Sequence, residues 1–432
     1  MKILHFADVH IGHENYGRTD EKTGLNTRLL DFLRSFDKIV NYALNNDIDL
    51  VVFAGDAYKT RDPSPTYQRE FGKRIKKIAS KIPIVLVTGN HDIPPSFGKA
   101  DTLEIFPTLE VPNVYVFSKP GVYQLPTTNR QLPTTKYQIP TTHYPLPTTN
   151  YPLPTTHYPL PITILALPWI PRSTLIKEED RKKPIEKIKE ILSARITQIF
   201  SDLLDKIDPQ KPAIAVVHQS VTGATYASGQ ETYLGNDPLI PISVLSNPKL
   251  SYVALGHLHK FQVLNEQPPV IYPGSIERID FGEEIEEKGF VVATLLGPKT
   301  KWQFIPLPAR KFKTINIQLP EGESQPNEFV KKEIEKAEIK DAIIRINLLG
   351  KESILAKIID SDLKELTKDA FWVASISKKS EKQITKMEIN NEVLGPMEWF
   401  NRYLESKKFS KEEKKILSVA ALRLMDEVGG LP

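Results

Sequence analysis

Five short clusters of Asp, Asn and His stand out for the chemistry they could do: Asp8-x-His10, Gly55-Asp56, Gly89-Asn90-His91-Asp92, the single His218, and Gly256-His257-x-His259. Each follows a short apolar run that reads as a strand. In open α/β sheets ligands bind outside the carboxyl ends of strands, so motifs far apart in the chain can converge there. Carboxylate, amide and imidazole groups offer oxygen and nitrogen to Mn²⁺, Fe²⁺ or Zn²⁺. Asp8, His10, Asp56, Asn90, His218, His257 and His259 are too many for one tetrahedral ion, whereas two adjacent ions sharing a carboxylate would use them all. Two ions roughly 3.5–4 Å apart clamp the attacking and leaving oxygens of a phosphoryl group. Singly the motifs are weak, since an Asp can cap a helix and Gly55 or Gly89 can serve a turn. Five in order favour the metal site. The remaining histidines carry less: His5 lies inside the first apolar run, His143 and His157 inside a repeat, and His13 is at most a substrate contact.

The elements that must position these motifs alternate. Short apolar runs at Lys2–Ala7, Asp49–Ala54 and Ile82–Thr88 read as buried strands, with further strands at Asn113–Phe117, Ile162–Leu167, Ala213–Val217 and Tyr252–Leu255. Between the first two, Leu29, Leu33, Phe36, Ile39 and Val40 recur near helical spacing over Arg28–Asn45, and a charged helix is expected around Pro184–Ile207. Strand–helix–strand order predicts α/β layers. From Leu125 to Pro159 a seven-residue unit of the LPTTxYP type repeats. Its Pro in every copy excludes a coiled coil and predicts an extended surface loop between two strands. Beyond Phe312 the order strand, helix, strand, helix, strand predicts a small βαβαβ unit, and residues 397–427 read as two amphipathic helices.

Composition sets the outer limits. The chain of 432 residues is long enough for two or three domains, and it has no Cys, so disulfides, thiolate metal sites and Cys nucleophiles are excluded. With 57 basic against 53 acidic residues the net charge is +4, which permits a polyanionic partner without arguing for one. The opening residues meet Asp8 and His10 too soon to form the apolar core of a leader, and no stretch approaches the length of a membrane span; the expectation is a cytoplasmic protein. No G-x-x-x-x-G-K-[ST] loop occurs, so ATP hydrolysis is not expected of this chain.

The order DxH, GD, GNHD, H, GHxH resembles that of the calcineurin-like metallophosphoesterases over residues 1–290. Within that superfamily, YPGSIERIDFGEEIEEKGF at 272–290 and ALPWIPRS at 166–173 are similar to the SbcD-type nuclease subunit, the bacterial counterpart of the eukaryotic double-strand-break repair nuclease. The resemblance implies a four-layer αββα metallophosphoesterase sandwich over 1–310, carrying the 125–159 insert. It further implies a small α/β capping domain at 311–380, a linker at 381–394 and a helical partner-binding region at 395–432. It implies that Asp8, His10, Asp56 and His259 hold one ion and Asp56, Asn90, His218 and His257 the other, Mn²⁺ in particular, with His91 acting at the scissile phosphate. Asp92 would orient His91, or else serve as a turn residue.

The implied activity is exonuclease and endonuclease cleavage of DNA in double-strand-break and hairpin processing, by metal-assisted hydrolysis without a covalent intermediate. The implied partners are DNA, an SbcC-type coiled-coil ATPase and a second copy of the chain within a heterotetramer. Arg18, Arg61, Lys301, Arg310, Lys311 and Lys313 are candidate phosphate contacts. Family members that carry a His or an acid three positions after the bridging Asp differ from this chain, which has Lys59 there. A general two-metal phosphodiesterase or phosphatase on small esters, and a DNA-tethering scaffold without catalysis, are the alternatives.

Overall fold

The structure, a computed structural model, describes residues 1–94, 99–125, 162–181, 183–227, 230, 237–296 and 299–380, with isolated positions between 400 and 421. The 126–159 part of the repeat insert, the 381–394 linker and most of the 395–432 region lie outside the described residues.

Two six-stranded mixed sheets carry the motifs. The first runs, in spatial order, Lys299–Pro306, Gly289–Leu296, Lys2–Phe6, Leu50–Phe53, Ile84–Val87 and Val114–Phe117, the last four mutually parallel. The second runs Gln262–Glu266, Pro269–Tyr272, Tyr252–Gly256, Ala213–His218, Ile162–Leu167 and Gly121–Leu125, with the four inner strands parallel. Inner strands read as unbroken apolar runs because both of their faces are covered. Ile3, Val52 and Val85 from one sheet share a buried cluster with Ile164, Ile214 and Ile271 from the other. The outer face of the first sheet packs on Phe36, Ile39 and Val40 of the Thr27–Asn45 helix and Phe71 and Ile75 of the Pro65–Ala79 helix. Ile196 and Phe200 of the Ile185–Leu204 helix cover the second. Among the described residues no helix is long and apolar enough to cross a membrane.

The expected strands and both long helices occupy their expected places. The Pro65–Ala79 helix, absent from the expected elements although Tyr67, Phe71, Ile75 and Ile78 recur at helical spacing, starts where Ser64 accepts from the Tyr67 backbone N–H and Pro65 supplies the first turn. The segment VYVFSKPGVYQ reads as one strand but is two. Val114–Phe117 closes the first sheet, Gly121–Leu125 opens the second, and Ser118, Lys119 and Pro120 carry the chain across. The βαβαβ order is present, with strands Phe312–Gln318, Ile343–Gly350 and Trp372–Ser380 in one sheet; the expected second helix is broken into Glu352–Leu355 and Asp360–Leu366. The chain divides into two compact units: residues 1–317, 327–347 and 359–377 form one, and 318–326, 348–358 and 378–432 the other.

Within the first unit a buried ionic cluster ties the Thr27–Asn45 helix to Glu277 and Arg310. Asp31 takes Arg28 at 2.6 Å and the forked guanidinium of Arg310 at 2.6 and 2.7 Å. Arg310 also lies 3.7 Å over the Phe371 ring, so this candidate phosphate contact is committed inside the fold. Glu277 accepts from Ser35 Oγ and from the backbone N–H groups of Arg278 and Arg310. Burial raises its carboxyl to about 7 against the pull of Arg28. A carboxyl raised in the folded state keeps its proton there first. Its stabilising contribution is therefore complete below the ordinary value of 4.5 and is lost as pH rises through about 7. Between those limits, the unfolding free energy of the wild type is expected to fall relative to Glu277→Gln by about 1.4 kcal/mol per pH unit, read from paired urea titrations.

Candidate metal centre

The clusters stand at the carboxyl ends of five parallel strands. Asp8, Asp56 and Asn90 follow three neighbouring strands of the first sheet, while His218 ends a strand of the second and His257 and His259 follow its neighbour. Cross-links join the two edges: the His257 N–H donates to both Asp8 oxygens at 3.0 and 3.1 Å, and His218 Nδ1 meets the Ala54 carbonyl at 2.6 Å.

The backbone is bent to make this convergence. Asp8, His10, Asp56 and His257 all hold positive φ, at 52°, 47°, 63° and 100°. Conformations of this kind cost about 1–3 kcal/mol each and persist where the surroundings over-determine them. Two glycines are required by close approach: a Cβ on Gly89 would sit 2.1 Å from Asp56 Oδ1, and one on Gly256 would sit 2.0 Å from the Ala54 carbonyl oxygen.

Three groups of ligand atoms gather within 4.8 Å of one another: Asp8, His10 and His259; His10, Asp56 and His91; and Asp56, His218 and His257. Hydrogen bonding shows why these atoms suit a cation. His218 gives its Nδ1–H to Ala54, turning Nε2 to within 3.1 Å of Asn90 Oδ1 and 3.4 Å of Asp56 Oδ2. His257 pairs Nε2 with Asp237 at 2.9 Å, leaving Nδ1 bare at 2.9 Å from the same Asn90 oxygen. His259 pairs Nδ1 with Glu283 at 2.8 Å, turning Nε2 toward His10 Nε2 at 2.9 Å. His10 Nδ1 is buried with no partner among the described residues. Acceptors facing acceptors are unfavourable unless a proton or a cation stands between them. The residues present therefore fit a dimetal site.

The electrostatics point the same way. Burial alone would lower His218, but the charges of Asp56 and Asp8 reverse this and raise it to about 9. Burial also raises Asp8 to about 7 against the pull of His218 and His259. Asp56 is held well below the ordinary carboxylate range, because His218, His91 and His10 together outweigh its burial.

Asp92 does not orient His91. Its carboxylate accepts from the backbone N–H groups of Asp56, Ala57 and Gly89 at 2.8, 3.0 and 2.8 Å and clamps the two loops together. The His91 ring instead places Nδ1 2.7 Å from the Lys59 carbonyl. His5 bridges the Tyr252 hydroxyl and the Leu255 carbonyl between the sheets, and burial lowers it to about 3. His13 lies at the edge of the site, 5.9 Å from the His10 ring and stacked on Phe32. Arg61 donates from Nε to the Asn90 carbonyl, which puts an exposed guanidinium beside the cluster.

Residues 1–261 match the profile of the calcineurin-like phosphoesterases. The chain belongs to that family. It is 23% identical to the DNA double-strand break repair protein Mre11 of Archaeoglobus fulgidus, over 97% of this chain and 80% of that protein. It is 24% identical to the SbcD component of the nuclease SbcCD of Escherichia coli K12, over 66% of this chain and 62% of that one. Against the SbcD component of the Rhodobacter capsulatus nuclease the identity is 27%, covering 71% and 69%. This phosphoesterase is thus a distant homologue of the Mre11 and SbcD proteins, with buried His/Asp clusters suited to a dimetal centre.

Motif reading misses Glu283, Lys288 and Asp237. Glu283 and Lys288 lie inside the segment 272–290, where an acid and a base in a stretch otherwise typical of a solvated loop are the only signal. Asp237 has no motif around it.

Proposed function

We propose that this phosphoesterase is a two-metal DNA nuclease. In this reading Asp8, His10, Asp56 and His259 hold one ion and Asp56, Asn90, His218 and His257 the other. Mn²⁺ suits such a nitrogen and oxygen donor set. The ions would supply Lewis acidity toward a phosphodiester and its attacking water. The observation that carries the reading is the Asp56 carboxylate, which belongs to two of the three ligand groups and lies 3.6 Å from His10 and 3.4 Å from His218.

The protein's own contribution is positional. Asp92 fixes the loops that carry Asp56 and Asn90, and His91 keeps its Nδ1 proton on Lys59 so that Nε2 is left for a phosphate or leaving oxygen. Arg61 stands where a neighbouring phosphate of the same strand would pass.

DNA is favoured as substrate by the likeness to Mre11 and SbcD proteins over most of the chain. The same likeness supports a partner of the SbcC type; a homodimer within a heterotetramer, a division at 310/311 into nuclease and capping domains and partner binding by residues 395–432 are what the motif resemblance implies.

The test is cleavage of end-labelled linear duplex DNA by the purified chain in Mn²⁺, Mg²⁺ or EDTA, beside a small phosphodiester. Expected is Mn²⁺-dependent degradation of DNA that EDTA abolishes. Turnover of the small diester with intact DNA would replace the nuclease by a general phosphodiesterase, and two bound ions without cleavage of either substrate would replace it by a scaffold.

A further inference from the structure

Two of the histidines in the centre are backed by carboxylates that no motif announces, and the two backings differ. Behind His259, Glu283 takes the imidazole Nδ1 at 2.8 Å with one oxygen, and with the other takes Lys288 Nζ at 2.9 Å and the Ile279 N–H at 3.0 Å. Lys288 is fully buried and is itself tied to Glu286 at 3.0 Å and to the His259 carbonyl at 2.9 Å. Behind His257, Asp237 takes Nε2 at 2.9 Å, but its second oxygen goes to Arg172 at 3.1 Å, whose side chain is 42% exposed. The first chain of bonds leads to a sealed ion pair and the second to a half-exposed arginine.

A carboxylate on the far nitrogen of a metal-binding imidazole fixes the tautomer and the ring orientation. Its own hold on that geometry depends on what holds it. A buried pair with several hydrogen bonds has one arrangement, whereas a pair with a half-exposed arginine exchanges with water and salt.

We propose that Glu283 and Asp237 are positioning residues that each govern one ion of the pair, and that the ion on the His257 side is the more weakly held. This rests on the two-ion reading above. Glu283 keeps His259 Nε2 aimed at the group formed by Asp8 and His10, and Asp237 keeps His257 Nδ1 aimed at Asn90 and Asp56. Because the two carboxylates act on different imidazoles, removing the charge of either loosens one ion and spares the other.

Mn²⁺ titrations of the full chain, followed by isothermal calorimetry and by the electron paramagnetic resonance of free Mn²⁺, test this without reference to cleavage. The wild type is expected to show a tighter and a weaker class of site. Asp237→Asn, which keeps the side-chain shape, lowers the weaker class by about 10–100-fold and leaves the tighter one in place. Glu283→Gln lowers the tighter class by a similar factor. Asp237→Glu, which restores a carboxylate, recovers part of the lost affinity. Melting in EDTA accompanies each titration, and a Tm close to that of the wild type separates positioning from general loss of structure.

If either variant titrates like the wild type, or weakens both classes together, the assignment is overturned. If Asp237→Asn weakens the tighter class, the order of the two ions is overturned. A wild type that binds fewer than two ions would instead defeat the two-ion reading itself.

Discussion

His91→Asn is expected to slow Mn²⁺-dependent phosphodiester cleavage by about 10²–10⁴-fold, the range typical of losing a positioned acid or base, while still binding two ions. The structure separates these outcomes because His91 touches the centre in two ways. Its backbone N–H donates to Asp56 Oδ1 at 2.8 Å, a bond that any residue at this position keeps. Its ring stands edge-on to His10 with centroids 5.0 Å apart and keeps Nδ1 on the Lys59 carbonyl. Asparagine retains a polar side chain but has no imidazole nitrogen to give or take a proton. Single-turnover cleavage beside a Mn²⁺ titration checks the expectation. Loss of an ion in His91→Asn would make His91 a ligand, in keeping with its grouping with His10 and Asp56, and would overturn the acid–base role.

Asp56→Asn should have the larger effect: cleavage below detection and both ions weakened by more than about 100-fold, beyond what the loss of an outer hydrogen-bond partner costs. Asn preserves the shape and can still accept from the His91 N–H, so the loop held by Asp92 is expected to survive. What disappears is the charge that keeps His218 protonated without metal and that both ions would share. Calorimetric titration with Mn²⁺ and circular dichroism on the same sample give the answer. Two ions bound at wild-type affinity would remove Asp56 from the bridging position.

The residues of the centre are legible in the sequence because each sits within four positions past an apolar run, and parallel strands bring such ends together. Their supports are not legible in the same way. Asp237 reaches His257 across a gap of 20 residues, and Glu283 reaches His259 across 24, distances over which no local period operates. Asp92 is legible as a residue of the motif but not in its task, since its partners include backbone N–H groups of a loop 35 and 36 residues earlier. Gly89 reads as a turn residue needing positive φ, yet its φ is ordinary, and what it supplies is room for Asp56. In the fold, alternating apolar runs announce the parallel strands. The antiparallel pair Gly289–Leu296 and Lys299–Pro306 is absent from the expected strands although Gly289–Leu296 is itself an apolar run; its outer partner shows only the weaker alternation of exposed with buried or half-buried residues.

The chain leaves the second sheet at Leu125 and returns to it at Ile162, and these two residues are register partners across an antiparallel edge pair. Pairing therefore fixes both ends of the repeat insert, whatever the number of units between them. The entropic cost of bringing two chain ends together grows only as the logarithm of the length between them, so seven residues more or less change that term by about 0.2 kcal/mol. The phosphoesterase body thus owns a docking port for foreign sequence. Units can be gained, lost or exchanged there while the Asp, Asn and His of the centre stay where the strand ends put them.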